Sequence, residues 1–287
     1  MPAAALALVV GAAVLHAVWN ALAKQGRDQL LFLWSSVTLA SLALGPWAWA
    51  WLPAGGLGPA ALPFVGATIV LHALYFWALG RAYGSGEFSR VYPIARGLGV
   101  ALVPIAAFLL FDERVSASGA AGIALVVLGV AGLHVPGRAP GGARAAARRR
   151  AGTWWALLTG LSIAAYSLVD KAGVARLHPV PYITLMGVGS SLLLLPVVLA
   201  RRGALRREWT ASWRAIVVAS TMNLTAYLLV LFAFRLSKAG YVVAARELSI
   251  LFSAVIGSLW LGEGRLLPRL AGASIVVAGV ALVALAR

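Results

Sequence analysis

The sequence predicts an all-α membrane protein: ten transmembrane helices in two inverted five-helix repeats. Three observations carry that prediction. Of 287 residues, 62% are hydrophobic and only 11% charged, whereas soluble domains carry about 25% charged residues. Ten apolar segments follow one another, each near the ~20 residues that a helix needs to span a bilayer. Polar landmarks of the first half also recur in the second. Arg96 and Arg246, Glu113 and Glu263, Gly122 and Gly272, and Gly129 and Gly279 all stand at one common spacing.

The segments run over residues 3–23, 29–50, 61–81, 88–111, 116–135, 153–173, 181–200, 212–236, 240–261 and 266–286. No Lys or Arg precedes the first, and its apolar run exceeds a signal-peptide core, so it is expected to stay in place. Trp47, Trp49 and Trp51 close the second segment, and Trp154 and Trp155 open the sixth. Trp209 and Trp213 open the eighth and Trp260 ends the ninth, as interface belts require. Short connectors such as Gly84-Ser85-Gly86 and Gly262-Glu263-Gly264 are turn formers. Pro93 and Pro104 in the fourth segment free backbone carbonyls and can kink that helix. The ninth segment has no matching proline.

The longest connector, 136–150, holds prolines, glycines and five arginines. It divides a first repeat, 1–135, from a second, 151–287. H-A-V-W-N-A-L-A-K-Q-G from His16 aligns with I-A-A-Y-S-L-V-D-K-A-G from Ile163, pairing Trp19 with Tyr166, Asn20 with Ser167 and Lys24 with Lys171. Five is odd, so the second repeat enters the membrane the other way round, the inverted design of secondary transporters. If the linker is cytoplasmic, its side of the membrane collects most of the 24 Lys and Arg residues. The charge bias then places both termini outside.

The candidate site residues are polar groups inside apolar segments, where an ionisable side chain costs about 2.5–3.5 kcal/mol on insertion scales. Arg96 and Arg246 come first, because a guanidinium stays charged and grips carboxylate or phosphate with a two-point fork. The functional reading is substrate contact; the structural one is an internal ion pair with Glu247, Asp170 or Asp112. Glu247 is either a proton-coupling carboxylate or the neutraliser of Arg96. His16, Asn20 and Lys24 form a stripe on the first helix, with Trp19 beside it. Thr159, Ser162, Tyr166 and Asp170 form another on the sixth. Asp170 is the second proton-coupling candidate, although its place near a helix end also suits snorkelling to the interface. Tyr92 and His72 complete the substrate-contact set. Thr68, Tyr75, Thr221, Asn223, Thr225 and Tyr227 are weaker candidates. With Glu247 as the one acid near the midplane, the expected cavity charge is about +1, which favours anions. Glu113 and Glu263 lie in turns, where each should cap the helix that follows. The glycines read as close helix packing.

P-I-A-A-F-L-L-F-D-E-R with Gly119, Gly122 and Gly129-Val130, matched by S-A-V-I-G-S-L-W-L-G-E-G with Gly272 and Gly279-Val280, resembles the drug/metabolite transporter superfamily, EamA type. The resemblance covers almost the whole chain and implies ten helices in two repeats. H-A-V-W-N-A-L-A-K and V-Y-P-I-A-R-G resemble a branch of it associated with phosphonate-utilisation genes.

The expected function is secondary active transport of a small anionic or zwitterionic metabolite across the inner (plasma) membrane. The expected substrates are an amino acid or an organophosphorus compound. H+ or a counter-substrate is the expected coupling partner, since no nucleotide-binding loop is present to supply energy. The alternative is a membrane-embedded enzyme acting on a lipid-linked substrate, but four scattered histidines and eight acids show no catalytic or metal-ligand spacing. No catalytic residue, metal or cofactor is expected. Net charge of +16 reads as attraction to anionic lipid and not to nucleic acid, because the arginines flank apolar segments. The protein is expected as a monomer or homodimer.

Overall fold

The computed structural model describes residues 1–53, 56–85, 88–132, 143–259 and 266–286. The expectations placed on linker residues 136–142, on Glu263 and Trp260, and on the side chains of Lys24, Tyr92, Pro93 and Gly272 lie outside the described residues. Among those residues the chain is helical, without strands. The helices are α1 (Ala3–Gln25), α2 (Gln29–Ala50), α3 (Leu62–Ser85), α4 (Phe88–Phe111), α5 (Ala117–Gly132), α6 (Ala143–Val174), α7 (Pro179–Leu199), α8 (Arg202–Leu236), α9 (Ala239–Arg246), α10 (Ser249–Leu259) and α11 (Leu266–Leu285). With α9 and α10 taken as one broken span, these are the ten segments of the sequence.

Local chemistry explains most boundaries. Gly26 turns the chain out of α1 in an extended conformation, and Asp28 then caps α2 by accepting from Leu31 N–H at 3.2 Å. His178 caps α7 with Pro179 at its first position. Partial burial, and next to it the charge of Arg235, hold the His178 imidazole below its ordinary pKa. Asp112 ends α4 with φ of 50°, a left-handed geometry that Asp tolerates.

Three helices differ from the sequence reading. α6 starts at Ala143, inside the stretch read as linker, because A-R-A-A-A-R-R-R is rich in strong helix formers. α8 likewise starts ten positions early, at Arg202. The third difference concerns bending. α4 runs unbroken past its prolines, whereas the proline-free ninth segment breaks between Arg246 and Ser249.

Among the described residues, seven helices are long and apolar enough to cross a membrane. Only 33–56% of each such span is buried inside the protein. The outward faces carry Leu42, Val70, Leu109, Leu128 and Leu192, all exposed. Water would not tolerate so much apolar surface on one molecule, and hydrocarbon does. Trp47, Trp49, Trp51, Trp154 and Trp213 are exposed near span ends. Trp209 instead turns inward and donates to Ser35 Oγ at 2.9 Å.

Packing is reciprocal between the halves. α1 lies along α8 as α3 lies along α6; α2 meets α8 as α7 meets α3; α5 pairs with α11, and α2 with α7. The α5–α11 crossing shows the detail. A Cβ on Gly122 would come within 2.6 Å of the Gly279 carbonyl, and one on Gly279 within 2.6 Å of the Gly122 carbonyl. Gly129 faces Val276 as Gly279 faces Val126. Glycine is required there because the two backbones touch, the small-residue packing of membrane helices.

Candidate functional site

The break in the ninth span builds the site. Arg246 ends α9, where a cation meets the negative end of the helix dipole. Glu247 follows in the turn, and successive residues of a helix point about 100° apart. The two side chains therefore diverge. Glu247 reaches α4, where Arg96 Nε donates to its Oε2 at 3.2 Å and Nη2 lies 2.7 Å from Oε1. Both partners are buried, so this two-point pair joins the halves away from water.

Arg246 points the other way, into a cavity between α1, α2, α3, α6, α7, α8 and α9. The cavity is narrow, about 60 Å³, which is the room of a few waters. Trp19, Tyr75, Phe76, Tyr166 and Tyr227 wall it, with His16 and His72. The guanidinium carbon of Arg246 lies 5.7 Å from the Tyr227 ring centroid, within cation–π range. Tyr166 lines the same cavity. Among the described residues Arg246 forms no ion pair. The buried Trp19 Nε1–H, on the same cavity, has no acceptor among the described residues. Two donors, one of them charged, thus line the cavity, and no anion among the described residues pairs with them.

Behind the Tyr227 wall lies Asp170, fully buried. This corrects the snorkelling expectation: its neighbours supply the hydrogen bonds that water would have. Thr68 donates to Oδ1 at 2.6 Å and Tyr182 to the same oxygen at 2.8 Å. Tyr227 donates to Oδ2, and His72 Nε2 stands 3.9 Å from that oxygen. Asp170 also corrects the expected cavity charge of +1. Arg96, Arg246, Glu247 and Asp170 sum to zero across the buried centre, and the positive member facing the cavity is Arg246.

Of the residues singled out from sequence, the cavity brings together His16, Trp19, His72, Tyr166 and Arg246, with Tyr75, Asn223 and Tyr227 of the weaker candidates. Arg96 and Glu247 form the adjoining pair. Asn20 turns back to its own helix, donating to the His16 carbonyl at 2.8 Å. Thr159 and Ser162 likewise bond carbonyls one turn back. The sequence pattern does not single out Tyr182. Its one signal is Gly173, whose missing side chain makes room for the Tyr182 ring, but such a pairing across helices is not visible along one chain.

Both ends of the bundle are tied. At one, Glu208 accepts from Asp28 N–H at 2.9 Å, and Asp28 pairs with Arg201. At the other, Glu113 accepts from Ala239 N–H at 2.7 Å and lies 3.4 Å from Lys171. Glu113 therefore caps α9 of the opposite half and not the helix that follows it, because α9 brings its open N–H groups to that turn.

Comparison with known proteins follows the same line. Residues 150–285 match the EamA-like transporter family, and residues 58–126 match the Small Multidrug Resistance protein family. No curated protein matches the chain. A solved crystal structure aligns over 99% of this chain and 98% of its own at a TM-score of 0.71, with 14% identity, a likeness of fold. The two family matches fall in the two halves, each over less than half of the chain, and together they support a multi-pass membrane transporter of the drug/metabolite type.

Proposed function

We propose that the protein moves a small anionic or zwitterionic metabolite across the inner membrane by alternating access of two inverted five-helix halves. The observation that carries this reading is Arg246: buried, charged, facing the cavity, and outside every ion pair among the described residues. A buried cation without a counter-charge is costly, and an acidic group on a substrate removes that cost. Trp19 Nε1–H offers the same substrate a second donor. The aromatic walls favour a body with apolar or aromatic surface, so an amino acid or an organophosphorus compound fits by chemistry. Reciprocal packing of the halves supports rocking about a common axis. A cavity this narrow must widen to load a metabolite, as alternating access requires.

Purified protein in liposomes tests the reading by counterflow of labelled amino acids, phosphonates, phosphorylated metabolites and an ethidium-like cation. Saturable exchange of an anionic or zwitterionic compound is expected. Exchange confined to the cation would overturn the reading.

A further inference from the structure

We propose that His72 and Asp170 form a proton-binding site, linked through Tyr227 to Arg246, so that a proton enters with an anionic ligand. The proposal rests on the transport reading for its purpose, and on the geometry alone for its existence.

The carboxylate comes first. An ionised carboxyl offers about four acceptor positions. Thr68 and Tyr182 occupy Oδ1 and Tyr227 occupies one position of Oδ2. The remaining position on Oδ2 faces His72 Nε2 at 3.9 Å. With the acid taken as ionised, all three hydroxyls can donate to it at once, because a carboxylate only accepts.

The imidazole tautomer follows from the same accounting. Thr68 gives its hydroxyl hydrogen to Asp170, so its oxygen can only accept from His72. His72 Nδ1 lies 3.0 Å from that oxygen and 3.0 Å from the Thr68 carbonyl, another acceptor. Nδ1 therefore carries the hydrogen of the neutral ring, and Nε2 presents its lone pair toward Asp170. A proton taken on Nε2 turns this contact into a buried ion pair. No other bond forms or breaks.

Charge balance gives the site its use. With His16 and His72 neutral, the charges of Arg96, Arg246, Glu247 and Asp170 at the buried centre cancel. A monoanion on Arg246 leaves the centre at −1, and a proton on His72 restores zero. A zwitterion leaves the balance untouched and needs no proton. The link is direct: Tyr227 lies under the Arg246 guanidinium and donates to Asp170. Other groups facing His72 are Tyr166 at 4.3 Å between ring centroids and Tyr75 at 6.4 Å, with Tyr182 beyond Asp170.

The test needs no substrate. Histidine labelled with nitrogen-15 reports imidazole protonation by NMR in lipid nanodiscs, between about pH 5 and 8, with His72→Gln to assign the signal. The neutral ring should carry hydrogen on Nδ1. Arg246→Gln, which mimics an anion by cancelling the cation, should raise the proton affinity of His72. Asp170→Asn should lower it. At an effective dielectric constant near 20 the Asp170→Asn change, for a charge 3.9 Å away, should be the larger, about a thousandfold, and the Arg246→Gln change, for a charge roughly 10 Å away beyond the Tyr227 ring, about tenfold. Hydrogen on Nε2 in the neutral ring, or a proton affinity that Arg246→Gln leaves unmoved, overturns the proposal. Arg246 lies outside the hydroxyl cage, so that variant decides even where Asp170→Asn fails to fold. Absence of counterflow would remove the transport reading and leave this result standing.

Discussion

Arg96 is 6% exposed and Arg246 7%, so neither guanidinium has bulk water to solvate it. Their surroundings then assign different work. Glu247 neutralises Arg96, while Arg246 faces the cavity. Arg96→Ala leaves Glu247 buried and unpaired, which costs about 3–5 kcal/mol. Arg96→Leu with Glu247→Leu removes both charges and should restore much of the loss. Thermal unfolding in detergent checks this: the double variant should melt above the single one, and equal melting would deny that the pair acts as a unit. The arginines are legible in the sequence because charge stands out against hydrocarbon. Their separate roles are not, because the partner of Arg96 sits on a helix of the other half. Asp170 is harder still. It lies near the end of its apolar segment, where an acid ordinarily reaches water, and the three hydroxyls that hold it come from α3, α7 and α8.

At the scale of elements, two contacts set the architecture. The α5–α11 crossing brings backbone against backbone at Gly122 and Gly279. Gly279→Val forces these helices apart, and overpacking of this kind costs about 1–3 kcal/mol or more. Its expected signature is a lower melting temperature, with Gly132→Val, where a Cβ meets nothing within 4 Å, close to wild type. Glu113 supplies the second contact, capping α9 across the halves. Glu113→Ala should lose about 0.5–2 kcal/mol as other caps do, again read by melting. The glycine spacing is visible along the chain as a repeat, because both halves need small residues where helices touch. The break after Arg246 is not visible there, because neither glycine nor proline marks it, and tertiary contacts to α4 and the cavity hold the turn open. Nor can the reach of Glu113 be read locally, since its partner is 126 positions away.

At the scale of the molecule, the apolar segments and the lipid-facing leucines define a membrane bundle, and the charges define its ends. Asp28, Arg201 and Glu208 meet at one end; Glu113, Lys171 and Lys238 meet at the other. From the arginine bias we expect the first end in the cytoplasm, so a reporter fused after Arg287 should be active only outside. Activity only inside reverses the orientation. The central claim, that Arg246 holds the acidic group of the substrate, is tested most directly by counterflow with Arg246→Lys and Arg246→Gln. Lysine keeps the charge but loses the fork, and a charged hydrogen bond is worth about 1.5–3 kcal/mol. Exchange by Arg246→Lys should therefore fall about tenfold to a hundredfold, and by Arg246→Gln further, with both proteins folded at normal yield. Wild-type exchange by both variants would contradict the claim.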